Sequence, residues 1–348
     1  RLDEAIRLFE QNLEDSIRIL GPHDPRTLTS RDNLAGTYRD AGRLDEAIHL
    51  FERNLADFAR LAGPDHLDTL TSRGNLANAY QAAGRLDQAI ALFERNLTDF
   101  TRVLGPAHPE TLAWRDKLAG ACQAAGRLNE AIALFERNLT DFTRVLGPAH
   151  PETLASRGNL AGAYQAAGRL DRAIPLLQQN LEDRTRILGP DHRDTLASRN
   201  NLAGAYQAAG RLDQAIPLLQ QTLDDSARLL GPHHPRTLTS RNNLAGAYQA
   251  AGRLDEAIPL FEQTLTDHTY ILGPHHPDTL NTRNNLAGAY QAAGRLDEAI
   301  PLFEQTLTDC TYSLGPQHPR TLNTRNHLAN AYLAAGRTKE AKKLFGTP

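Results

Sequence analysis

The sequence predicts an all-α solenoid of stacked antiparallel helix pairs, and three observations predict it. Gly42, Gly84, Gly126, Gly168, Gly210, Gly252, Gly294 and Gly336 recur every 42 residues without an insertion. Residues 235–276 and 277–318 agree at 36 of 42 positions. Each unit carries two apolar patterns of helical period, separated by glycine and proline, and no strand alternation. So strict a period means one structural unit, copied and stacked on its neighbours.

The elements of one unit follow in order from Pro277 to His318. Pro277 opens a first helix, A, where its missing N–H is not needed. Leu286, Ala287 and Tyr290 then recur at i, i+1 and i+4 and mark the buried face. Gly294 ends helix A as a residue free to take positive φ. Asp297 suits the N-cap of a second helix, B, whose apolar positions are Ala299, Ile300, Phe303, Leu307 and Leu314. Gly315-Pro316 stops helix B before the next unit opens at Pro319. The expected unit is therefore a hairpin with an A helix of four to five turns, a tight Gly-Arg-Leu turn and a slightly longer B helix.

This frame reads as a single solenoid over residues 1–348. It comprises helix B of a truncated repeat (1–22), repeats at 23–64, 65–106, 107–148, 149–190, 191–232, 233–274 and 275–316, and a last repeat (317–348) with a shortened second helix. A lone hairpin cannot bury both its apolar faces. Burying one large apolar side chain contributes roughly 1.5–3 kcal/mol before entropy, so a few per interface hold the stack together. The chain opens inside a B helix and contains no Met. Both features point to a segment of something longer, and the arginine, alanine and glycine excess hints at a GC-rich bacterial coding sequence.

Composition narrows the function. Net charge is −3, so there is no basic field for nucleic acid or an anionic membrane. No run of eighteen apolar residues exists, which excludes a spanning helix. Cys122 and Cys310 share no motif, fit no disulfide framework and favour a reducing, cytoplasmic setting.

The order Asn-Leu-Ala-x-Ala-Tyr, Gly four residues on, then Asp-Glu-Ala-Ile and Phe resembles the tetratricopeptide repeat. Leu286, Ala287, Tyr290, Ala299 and Phe303 occupy its signature packing positions. The 42-residue period is similar to the kinesin light chain variety of the repeat, as are the strings His-Pro-Asp-Thr-Leu (276–280), Asn-Asn-Leu-Ala (284–287) and Ala-Ile-Pro-Leu (299–302). Similar repeats occur in bacterial multidomain signalling proteins. The resemblance covers the whole chain and implies a right-handed superhelix, with peptide or protein binding on a concave surface made by the A helices.

On helix A the stripe offset from the packed positions is polar or small, and it should face such a groove. It supplies Asn33, Asn75, Lys117, Asn159, Asn201, Asn243 and Asn285 at one position and Asn200, Asn242 and Asn284 beside it. Gln207, Gln249 and Gln291 lie one turn further on. Amides both donate and accept, so a ladder of them suits the backbone of an extended peptide. In related repeats, the resemblance implies, asparagine at the Asn285 position contacts bound peptide. Gly36, Gly120, Gly162, Gly204, Gly246 and Gly288 each cost roughly 0.5–1 kcal/mol against alanine, which suggests close approach by a ligand or a neighbouring helix. Trp114, alone among serines and threonines at its position, is a candidate hot-spot anchor or else local packing.

Two departures from the family pattern shape the expectation. Arg31, Arg73, Arg115, Arg157, Arg199, Arg241, Arg283 and Arg325 replace an early aromatic of helix A, on or near its buried face, and read as structural ion pairs or hydrogen-bonded stems between helices, with a ligand-facing role as the alternative. The carboxylate-clamp position holds Asp32, Gly74, Asp116, Gly158, Asn200, Asn242, Asn284 and Asn326 instead of Lys or Arg. The expected partner is thus a neutral to mildly basic extended segment.

Catalysis finds no support. His108, His150, His192, His234, His276 and His318 fall one per repeat before helix A and cannot converge on a metal; they read as helix N-caps, as Asp24 does in the first repeat. No phosphate loop and no nucleophile, base and acid set is present. No cofactor is implied. The reading is a non-catalytic interaction scaffold, the sensor or adaptor part of a larger protein. The alternatives are self-association through open solenoid ends and, more remotely, an RNA-reading helical repeat, which would need a basic groove with stacking groups.

Overall fold

A computed structural model describes residues 2–345, all helical apart from short connections. The A helices are α2 (Pro25–Asp40), α4 (Leu67–Ala82), α6 (Pro109–Ala124), α8 (Pro151–Ala166), α10 (Arg193–Ala208), α12 (Pro235–Ala250), α14 (Pro277–Ala292) and α16 (Pro319–Ala334). The B helices are α1 (Leu2–Leu20), α3 (Leu44–Ala62), α5 (Leu86–Leu104), α7 (Leu128–Leu146), α9 (Leu170–Leu188), α11 (Leu212–Leu230), α13 (Leu254–Leu272), α15 (Leu296–Leu314) and the short α17 (Thr338–Lys343). The helices group into two compact units, one ending at Leu176 and one beginning at Leu177, with the boundary inside α9. Leu314's side chain lies outside the described residues.

The punctuation of the sequence acts as expected at the A helices. His66, His108, His150, His192, His234, His276 and His318 each accept, through Nδ1, the backbone N–H two residues on. Asp24 does the same with its carboxylate. These imidazoles are therefore helix caps. Gly294 has φ of 74° and Gly315 φ of 90°, and no residue other than glycine has positive φ among those described. Thr279 Oγ1 donates to the Gly273 carbonyl at 2.7 Å and so ties helix A to the end of the preceding B helix.

Helix B starts differently from expectation. Its N-cap is Arg295, without a side-chain cap, and Asp297 sits inside the first turn with Glu298. Their charges complement the helix N-terminus without capping it. Arg295 folds back over the Tyr290 ring, 4.3 Å from its centroid. Tyr290 donates to Glu262 at 2.5 Å, and burial with this carboxylate pushes the phenol up to about 12.

Every unit buries the same layers. In the first, Leu34, Leu76 and Leu118 of the A helices pack with Phe51, Phe93 and Phe135 of the B helices. In the second, Leu286 and Leu328 pack with Phe261 and Phe303. Within each unit helices touch their chain neighbours, and successive A helices also touch.

The buried arginines early in helix A are structural, whereas Arg325 is half-buried and donates to the Pro316 carbonyl at 3.2 Å without a described ion pair. Arg73 is 4% exposed, and its Nη1 donates to Asp99 of helix B at 2.6 Å. Arg31 with Asp57, Arg115 with Asp141, Arg199 with Asp225, Arg241 with Asp267 and Arg283 with Asp309 repeat the pair. Several also donate to the carbonyl of the proline nine residues earlier, as Arg241 does to Pro232. A delocalised, weakly hydrated guanidinium with several donors suits such a buried junction.

Candidate binding face

The offset stripe of the A helices is the polar face of each unit. Asn33, Lys117, Asn159 and Asn201 are exposed on it. Asn75, Asn243, Asn285, Asn200, Asn242, Asn284, Gln207, Gln249 and Gln291 are half-buried. In the second unit an open cavity of about 490 Å³ gathers Asn200, Asn242, Asn243, Asn285, Gln207 and Gln249 around Gly204 and Gly246. Asn284 lines a neighbouring cavity of about 380 Å³ with Asn281, Asn323 and Arg320. In the first unit a cavity of about 510 Å³ is walled by Asp116, Asn159 and Gln123 over Gly120 and Gly162. Asn33, Asn75, Lys117, Asn201 and Gln291 lie outside these three cavities.

The amides are less free than the ladder expectation has them. Asn75 donates to Asp32 of the preceding A helix at 2.9 Å, Asn159 to Asp116 at 2.5 Å and Asn285 to Asn242 at 3.4 Å. Asn284 Nδ2 meets His327 Nδ1 at 3.2 Å, and Gln207 donates to the Gly246 carbonyl at 3.4 Å. Part of the stripe thus knits successive A helices together, because an unpaired half-buried donor would be costly. The Oδ1 atoms of Asn200 and Asn284 are buried and have no partner.

Charge divides the two units. Asp32 and Asp116 are pushed above the usual carboxylate range by burial, against hydrogen bonds from Asn54 and Asn75 and from Asn138 and Asn159 respectively. Asparagines hold the matching places in the second unit. The cation of Lys117 lies 4.4 Å over the Trp114 ring, and burial lowers its pKa.

Trp114 requires a correction. It is only 6% exposed, stacked on Phe100 at 5.5 Å and tilted against Phe93. A Cβ at Gly74 would fall 1.7 Å from its ring. The indole fills the space that glycine leaves, so it is packing and offers no surface anchor. The glycines of the stripe behave otherwise. At Gly36, Gly120, Gly162, Gly204 and Gly246 an added Cβ would meet nothing within 4 Å, and at Gly288 only the Gln249 amide at 3.5 Å. Neighbouring helices do not demand them.

One set of residues escaped the sequence reading. Asn54, Asn96 and Asn138 of the B helices are fully buried and donate to the A-helix carbonyls of Leu28, Leu70 and Leu112 at 2.9–3.0 Å. Asn54 and Asn138 also hold Asp32 and Asp116. A signal was present: this position is Asn where its partner is Asp or Gly (repeats of Asp32 to Gly158) and Thr where the partner is Asn (Thr222, Thr264, Thr306).

The tetratricopeptide repeat model matches in overlapping stretches from residues 1–56 through 278–346. The chain belongs to the tetratricopeptide repeat family. Tetratricopeptide repeats typically serve protein–protein interaction and are usually non-catalytic, and no catalytic family matches. Comparison with curated proteins gives no match. Among solved structures this chain is similar to a protein assigned as a kinesin light chain with nearly identical repeats, from Podosopora anserina. The identity is 36% over 58% of this chain and 95% of that one, with a TM-score of 0.54. That structure carries a single substitution, and the form without it gives 38% identity over 59% and 98%, with a TM-score of 0.51. The repeats are thus of the kinesin light chain type. BtubC from P. vanneervenii shares the fold at 22% identity over 68% of this chain and 94% of that one, TM-score 0.56. So does a signal transduction ATPase with a tetratricopeptide repeat sensor from Pyrococcus horikoshii, at 13% identity over 99% and 52%, TM-score 0.56. No described helix of this tetratricopeptide repeat chain is long and apolar enough to cross a membrane.

Proposed function

We propose that the chain is a non-catalytic scaffold that receives an extended, neutral to mildly basic peptide segment on the A-helix faces, as the sensor or adaptor part of a larger protein. The observation that carries this reading is the amide-walled cavity of about 490 Å³ in the second unit. Its walls are uncharged, with the amides of Asn200, Asn242, Asn243, Asn285, Gln207 and Gln249 beside Gly204 and Gly246. A backbone segment supplies N–H donors at regular spacing and matches such walls. The two unpaired, buried thiols Cys122 and Cys310 favour a cytoplasmic setting.

The test is selection of random dodecapeptides from a display library on the full chain, followed by titration of the selected peptides. Asn242→Ala with Asn243→Ala should weaken them by at least about tenfold. Failure to select any peptide, or binding indifferent to both substitutions, defeats the reading. The second reading, self-association, draws on the exposed apolar side chains Leu2, Leu8, Ile17 and Ile19 of α1. It requires light scattering to rise above the monomer mass with concentration and to be insensitive to the asparagine variants.

A further inference from the structure

A third cavity in the C-terminal unit has a different construction. At one buried place between helices B and A, the repeats carry Phe100 against Trp114, Phe142 opposite Ser156, Arg184 bonded to Ser198, and His268 bonded to Thr282. The repeat between the last two carries Ser226 opposite Ser240. These two side chains fill too little of the space, and a cavity of about 200 Å³ results, lined by both serines with Leu196, Ala197, Thr239 and Asn200. Ser226 is 2% and Ser240 1% exposed, yet neither hydroxyl has a hydrogen-bond partner among the described residues, unlike Ser16 and Ser30 at the same place.

The mouth of this cavity is cationic. Arg193 and Arg236 complete its lining. Arg193 stands at the first position of α10, where six of the eight A helices have proline. Its Nε donates to Asp194 at 3.2 Å, leaving the terminal nitrogens without a described partner. The Arg236 side chain makes no hydrogen bond or ion pair among the described residues. Both residues lie in the first turns of α10 and α12, where the helix dipole adds to the positive potential.

We propose that this cavity is a binding site for a small single-ring aromatic carboxylate carrying a hydroxyl or amino group. Its volume exceeds the roughly 150 Å³ that accommodates a benzene ring, and phenylalanine rings occupy the same place in the first unit. The carboxylate pairs with Arg193 and Arg236 at the mouth, in the planar geometry guanidinium favours. The ring lies on Leu196 and Ala197. The ligand's hydroxyl or amino group reaches the hydroxyls of Ser226 and Ser240, which line the cavity. The site is built from different side chains than the peptide face, apart from Asn200, and does not depend on that reading.

The probes are para-hydroxybenzoate and its uncharged analogue para-hydroxybenzamide, titrated into the full chain by calorimetry and ligand-observed NMR. The acid should bind saturably and the amide at least about tenfold more weakly. Arg236→Gln should weaken the acid by a similar factor. Ser226→Phe recreates the arrangement of Phe142 and Ser156, so it should abolish binding without lowering the thermal midpoint. Absence of saturable binding of the acid, or binding that survives Ser226→Phe in a folded protein, overturns the proposal. Capture of acidic library peptides that is lost in Ser226→Phe, with no binding of the free acid, assigns the cavity to a peptide side chain and also overturns it.

Discussion

Asp99 and Asp116 show one side chain under opposite balances. Burial pushes Asp99 up, but hydrogen bonds and charge from Arg73 and Arg102 outweigh it and hold the carboxyl below its usual range. That contribution to stability is complete at neutral pH and is lost as pH falls through the lowered value. Asp116 is buried too, and has only amides to answer its charge, so its value is raised. The sign reverses: an ionised Asp116 opposes folding at neutral pH, and the penalty disappears once pH drops below the unfolded-state value of about 3.9. Asp116→Asn should therefore stabilise the chain at pH 7 by roughly 1 kcal/mol, with exposed Asn159 turning its amide to accept. Urea midpoints of both proteins between pH 7 and pH 3 check this. The gap must close towards the acid end, and a gap that widens there contradicts the assignment. The ion pair of Arg73 was legible in the sequence, but the balance at Asp116 was not, because the buried amide that holds it comes from another helix.

Helix A was legible almost to the residue at both ends, since proline, histidine and glycine act there locally through φ, a missing N–H and a cap. Helix B was not, because Arg295 at its N-cap leaves no side-chain signature and Asp297 imitates one. The glycines within helix A were ambiguous for a related reason. A sequence shows that glycine weakens the helix, and only coordinates show whether a neighbour needs the space. At Gly162 nothing does. Gly162→Ala should raise stability by about 0.5–1 kcal/mol, the ordinary helix-propensity difference, measured as a shift of the urea midpoint at constant slope. It should also narrow the cavity beside Asp116. A destabilised variant would mean that the helix interior is more crowded than its described neighbours allow, and the view of these glycines as a bare floor would fall with it.

At the scale of the whole molecule, the fold was readable because each repeat restates the same instruction, whereas the candidate sites were only half readable because they arise from differences between copies. Ser226 and Ser240, separated by fourteen positions, look unremarkable until their siblings' aromatic and hydrogen-bonded pairs are seen in the same place. The regularity itself makes a testable demand. Helices contact chiefly their chain neighbours, so stability should be close to a sum of repeat and interface terms. Deleting residues 235–276 joins His234 to Pro277, restoring the cap and first helical position found in the next unit, and every remaining helix keeps a neighbour of the type it had. The shortened chain should fold, with unchanged helicity per residue by circular dichroism and a urea slope reduced in proportion to the lost length. Its stability should fall by one repeat and one interface, without collapse of the second unit. Helicity lost well beyond the deleted share would show that the copies are not interchangeable, and that the near-identical sequences conceal a coupling longer than one neighbour.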